Sequence, residues 1–192
     1  MNKLIFSLFF LLFICIGSSK ADSPDYGDDT SQIARYEIFD SLRLGRLGLG
    51  RRAWDYAIIG YNHMRSKNML SNPRILTIID FTLPSSKKRM FVIDMNKVRL
   101  LHVTYVAHGR NTGVDKALYF SNEPESFKSS VGFYTTKGTY AGKHGYSMKM
   151  DGKEKGFNDN ADSRAIVMHS AEYVNEMFIQ SQGYIGRSLA QV

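Results

Sequence analysis

Between Pro73 and His108 the chain offers three short runs of branched and aromatic residues with little but turn formers between them. They are Ile75 to Leu83 (ILTIIDFTL), Arg89 to Met95 (RMFVIDM) and Val98 to Ala107 (VRLLHVTYVA). Such runs favour a pleated, half-buried surface. Ser85-Ser86-Lys87-Lys88 makes a turn between the first two, and Asp94-Met95-Asn96-Lys97 suggests a tight hairpin between the second and third. A strand triplet this closely spaced closes antiparallel, and it needs an apolar partner to cover one face. The residues before it supply one.

From Thr30 or Ser31 as N-cap, Gln32 to Leu44 has helical spacing, with Ile33, Tyr36, Ile38 or Phe39, and Leu42 on one side. Gly45, Gly48 and Gly50 interrupt it. A second helix is predicted from Arg51 to Arg65, where Trp54, Ile58, Tyr61 and Met64 or Arg65 recur at turn spacing. Trp54 and Tyr61 are core residues in this reading. Beyond the triplet, residues 108–163 read as polar and loop-rich, with short β pieces at Val131–Thr136 and Ser147–Met150. Arg164 to Met168 reads as a strand and Glu172 to Gln180 as a short helix. The fold class expected is mainly β (α+β), with two helices ahead of the sheet.

The first 21 residues have the features of a secretory signal. Lys3 precedes an apolar run from Leu4 to Ile16, and Ser19-Lys20-Ala21 fits a small-x-small cleavage site. The run is short for a membrane span, so no stable membrane anchor is expected after cleavage, and the destination is the periplasm or cell envelope. Residues 22–49 then form a leader and first helix. Cys15, the single cysteine of the 192 residues, leaves with the signal. Loss of Lys3 and Lys20 lowers the net charge from +7 to +5. That charge suits anionic wall polymers, and it equally serves solubility. No nucleic-acid-binding motif accompanies it, so nucleic acid is not an expected partner.

Five histidines are candidates for chemistry. His63 falls in the helical part and His102 alternates with apolar residues in a strand, which makes both structural. His108, His144 and His169 sit at strand ends or between glycines, where a substrate backbone can approach. These three could converge on zinc, giving a metal-dependent hydrolase. A Ser-His-Asp arrangement using Ser170 or Ser188 is open on composition, without a GxSxG elbow to support it. Asn158-Asp159-Asn160-Ala161 lacks the spacing of a calcium loop and reads as a turn or helix cap.

Several segments occur in a recognisable order. They are His108-Gly109-Arg110-Asn111-Thr112-Gly113, Phe120-Ser121-Asn122, Ser129-Ser130-Val131-Gly132-Phe133-Tyr134 and Tyr140-Ala141-Gly142-Lys143-His144-Gly145. Gly156-Phe157-Asn158-Asp159-Asn160-Ala161, Arg164-Ala165-Ile166-Val167-Met168-His169 and Gly186-Arg187-Ser188 follow. Together they resemble the murein L,D-transpeptidase catalytic domain family over roughly residues 50–192. The resemblance implies a β-sandwich-like catalytic domain that works on peptidoglycan stem peptides without a cofactor or metal. In that family a cysteine thiolate attacks the carbonyl between the third residue and D-alanine, and an amine or water resolves the acyl-enzyme. A histidine prepares the thiol.

Carried over position by position, the catalytic histidine is His169. His108, Gly109, Arg110, His144, Gly145 and Arg187 are expected to bind substrate. The family's cysteine motif would start at Gly186-Arg187-Ser188, and the nucleophile position then falls on Gln191. A neutral amide has no nucleophile comparable to a thiolate, and Ser170 follows His169 where the family usually has glycine. The expectation is a transpeptidase-like domain broken off before its cysteine and inactive as written. Ser188 is the remaining hydroxyl that could act in its place, and a non-catalytic peptidoglycan-binding module is the alternative.

Overall fold

A computed structural model describes residues 37–188. The signal segment 1–21, the leader, the start of the first predicted helix and Gln191 lie outside the described residues.

Residues 37–41 are helical, and a series of turns then runs to Gly48. Its leucines divide by face: Leu44 and Leu49 are buried, while Leu47 is exposed. Helix α1 (Arg51–Ser66) follows, one residue longer than the periodicity predicts, and it buries Trp54, Ile58, Tyr61 and Met64. Two polar ties fix it to the sheet. The Tyr61 hydroxyl donates to the Pro73 carbonyl at 2.7 Å. The buried Asp80 carboxylate accepts the Gly50 N–H at 2.9 Å and the N–H and hydroxyl of Thr82.

Strands β1 (Ile75–Ile79), β2 (Met90–Asp94) and β3 (Arg99–Thr104) form an antiparallel sheet in the order β1-β2-β3. The three predicted runs are all present, each shorter than predicted. The second turn is wider than predicted. Asp94 Oδ1 accepts the N–H groups of Asn96 and Lys97, and Val98 takes a φ of 45°, so four residues separate β2 from β3. This sheet and α1 enclose the core: Phe39, Leu44, Leu49, Trp54, Ile58, Ile78, Phe91 and Ile93. Each such side chain, fully buried, contributes roughly 1.5–3 kcal/mol.

A second antiparallel sheet holds β4 (Tyr134–Gly142), β5 (Gly145–Gly152) and β6 (Val167–His169), in the order β4-β5-β6. The region read as loop-rich therefore contains a long hairpin. Most β4 side chains are exposed, so no apolar alternation marks it in sequence. The strand predicted at Arg164 starts later, because residues 159–165 remain in turns and Ala165 has a φ of 54°. Helix α2 (Glu176–Gln182) also starts late, where the Asn175 side chain accepts the Phe178 N–H as its N-cap.

The entry to the second sheet docks on α1 through one close approach. A Cβ at Gly60 would lie 2.0 Å from the Phe133 ring, so the helix needs its glycine there. Loop 121–128 is held to the turns before β6 by Arg164, whose buried guanidinium donates to the Ser121 and Lys128 carbonyls. The architecture is mainly β, as expected, with helices at both ends of the described chain.

Candidate functional site

His169 closes β6, opposite Ser147 of β5. Its Nδ1 lies 2.7 Å from the Ser170 carbonyl oxygen. A carbonyl only accepts, so Nδ1 carries the proton and Nε2 keeps its lone pair. The ring borders a cavity of about 300 Å³ lined by Met90, Tyr105, Met168, Tyr173, Val174 and Ser188, among others. The cavity lies where the continuation of β3, residues 104–107, meets β6 and the residues after it. Among the described residues these are outer strands of their sheets.

Ser188 reaches the same cavity from a different element. Gly109 and Ser188 form a parallel bridge: Ser188 N–H donates to the His108 carbonyl, and Arg110 N–H donates to the Ser188 carbonyl, each at 3.0 Å. Just before it, Gly186 packs against Tyr173, where a Cβ would lie 2.5 Å from that side chain, and donates its N–H to the Tyr173 carbonyl at 2.9 Å. The structure thus brings His169 and Ser188 to one cavity.

His108 does not join them as a surface group. It is 1% exposed, with both ring nitrogens engaged. Arg89 Nη2 is 2.7 Å from Nδ1. A guanidinium only donates, so Nδ1 accepts and Nε2–H donates to the Gly113 carbonyl at 3.2 Å. Burial, and then the Arg89 charge, hold its pKa below the ordinary histidine value. His108 is a neutral internal brace, which corrects the expectation that it faces substrate. The three-histidine zinc reading loses a donor for the same reason, and no group of three or more metal-binding side chains occurs among the described residues.

Arg89 is itself fully buried, and no carboxylate among the described residues forms an ion pair with it. It donates to the Leu83 carbonyl and twice to Val106, and its guanidinium stacks 5.0 Å from the Phe81 ring. Desolvation lowers its pKa to about 10, opposed by the more distant Asp115 and Asp80. Its role is to hold residues 106–108, of which Val106 and Ala107 line the cavity, against the first sheet.

Of the other expected binding residues, Gly109 and Arg187 also brace backbone. Gly109 N–H donates to Ser129 Oγ, and a Cβ at Gly109 would lie 2.5 Å from the Phe127 carbonyl oxygen. Arg187 Nη1 donates to the Arg110 carbonyl at 3.1 Å. The exposed Arg110 guanidinium lies 4.0 Å over the Phe127 ring. Gly145, at φ 84°, completes the turn of the β4–β5 hairpin, whose two-residue tip is Lys143-His144. From that tip the His144 ring stacks on His169, with centroids 4.7 Å apart and planes 20° apart.

His63 and His102, expected as structural, are both exposed and stand outside the cavity lining. Asn158 is buried between the Phe133 carbonyl and the Glu154 N–H, and Asp159 and Asn160 bond to Asn122, so that segment is turn scaffolding. The apolar walls of the cavity, Met90, Tyr105, Met168 and Tyr173, went unmarked in sequence. Tyr105 at a strand end was their one signal. Its hydroxyl has a raised pKa, through burial and then the neighbouring Glu176.

Fold and cavity define a mainly-β protein whose two antiparallel sheets leave a cavity between the end of β3 and the end of β6, with His169 in its lining. Residues 47–190 match the L,D-transpeptidase catalytic domain model, and the chain belongs to that family. This places it in peptidoglycan chemistry with a transpeptidase-like role. No curated protein and no solved structure gives a significant match. Among the described residues no helix is long and apolar enough to cross a membrane.

Proposed function

We propose that this chain is an exported murein L,D-transpeptidase-like protein that receives peptidoglycan stem peptides in the cavity beside His169. The observation that carries the reading is the His169 ring, oriented by Ser170 so that Nε2 is the available base at a cavity shared with the Gly186-Arg187-Ser188 segment. In the family reaction a base at this point takes the proton of a thiol, and the thiolate attacks the peptide carbonyl. This chain carries Gln191 at the position that the family pattern assigns to the thiol. Its amide does not ionise to a nucleophile, so Gln191 does not supply the electron pair that starts acyl transfer. The residues in hand fit docking of the stem peptide in the periplasm or cell envelope.

Two measurements test this. Calorimetric titration with a muropeptide carrying a tetrapeptide stem is expected to show binding, weakened by His169→Ala. Absence of heat at millimolar ligand would overturn the stem-peptide reading. Incubation with a carbapenem, an acylating β-lactam, is expected to leave the intact mass unchanged. A stable adduct that disappears in Ser188→Ala would instead assign the nucleophile to that hydroxyl.

A further inference from the structure

We infer that His144 is a positioning residue for His169, holding the plane of its ring from the tip of the β4–β5 hairpin. The inference deepens the proposed function, because it concerns the base of that same cavity. Among the described residues one hydrogen bond orients His169, from Nδ1 to the adjacent Ser170 carbonyl. A single bond to a neighbouring backbone oxygen selects the protonated nitrogen and leaves the ring free to tilt about the bond. A second contact is needed to aim Nε2, and stacking against the His144 ring at 4.7 Å and 20° supplies it.

The hairpin is built to hold that contact. Gly142 pairs with Gly145, leaving Lys143 and His144 as the connecting residues. A Cβ at Gly142 would lie 2.8 Å from Tyr140 Cε2, so the tyrosine ring lies close across the end of β4. Ser147 Oγ donates to the Gly145 carbonyl at 3.1 Å. Ser147 is buried, and it is also the register partner of His169. The residue that braces the turn is thus fixed opposite the histidine that the turn covers. His144 itself is exposed, with no hydrogen bond to either ring nitrogen among those described, so the ring contact is its principal engagement.

The role needs an aromatic face, and it does not need an imidazole nitrogen. The test is nitrogen-15 NMR of the full chain with labelled histidine, at a pH well above the ordinary imidazole value of about 6.5. The native chain is expected to show well-separated Nδ1 and Nε2 signals for His169, the pattern of one neutral tautomer. In His144→Ala the two signals should draw together, because a ring free to tilt leaves the Ser170 carbonyl part of the time and then samples both tautomers. His144→Phe should restore the separation, and Lys143→Ala, at the neighbouring turn position, should leave it unchanged. Unaltered His169 signals in His144→Ala would overturn the inference, as would His144→Phe behaving like His144→Ala. The buried His108 signals report the fold in the same spectra, and a variant that disturbs them as well counts against a local positioning role. Muropeptide affinity plays no part in this readout, so failure of the stem-peptide reading would be seen separately.

Discussion

Replacing Arg89 by methionine keeps most of the side-chain volume and removes every donor. The Leu83 carbonyl, the Val106 carbonyl and His108 Nδ1 lose their partners inside the protein. A buried acceptor left unmet costs about 1–3 kcal/mol, so three cost roughly 6 kcal/mol at mid-range. The guanidinium's own burial works in the other direction. Its pKa stands at about 10, well below the ordinary value for arginine. That displacement corresponds to about 3 kcal/mol of unfavourable burial that methionine does not carry. The balance is a net loss of about 3 kcal/mol, a large share of the stability of an ordinary domain. Urea denaturation followed by the fluorescence of Trp54, which is fully buried in the main core, measures it. Arg89→Lys, which keeps the charge and three donors without the planar fork, should fall between the two. A loss below about 1 kcal/mol, or a gain, would show that the guanidinium's bonds to residues 106–108 are worth less than its desolvation, and the reasoning would fail.

Two further perturbations follow from the same geometry. Gly60→Ala should destabilise by about 1–3 kcal/mol although alanine is the better helix former, because its Cβ meets the Phe133 ring at 2.0 Å. Adding Phe133→Leu should recover part of the loss in thermal melts, and a stabilised single variant would refute the close approach. For His108, burial lowers the folded pKa beneath the unfolded value of about 6.5. The unfolded chain therefore binds the extra proton first, and stability should fall as pH drops from about 6.5 toward the folded value, with no such dependence above. Denaturation across this range should lose that slope in His108→Asn, and an unchanged slope would assign it elsewhere.

The parts of the fold that sequence reveals are those where burial and periodicity coincide. Trp54, Ile58, Tyr61 and Met64 point inward at the predicted spacing because α1 has one covered face. The first sheet is legible for a related reason, with Ile78, Phe91 and Ile93 buried beneath the helix. The β4–β5 hairpin gives no such signal, since β4 is exposed along most of its length. At the site, the resemblance singles out His169, Ser188 and the glycine-rich segments, and the first two do border one cavity. It does not distinguish a histidine facing solvent from one sealed inside. His108 sits beside glycine at a strand end as an accessible residue would, and Arg89, nineteen positions earlier, turns it into a brace. That partnership is a matter of tertiary packing, and no local pattern encodes it.

The two sheets share no hydrogen-bonded strand pair among the described elements, and the entry to the second docks on α1 at Gly60. The first sheet is clamped beneath a helix and carries the main core, whereas the second buries few large side chains. Local opening follows burial, so the halves differ in stiffness. Ser188, bridged to Gly109, belongs to the wall that Arg89 fastens to the first sheet, and His169 belongs to the more yielding sheet. The cavity thus has one rigid jaw and one compliant jaw. Amide protons of β4 to β6 should accordingly exchange ahead of those in β1 to β3.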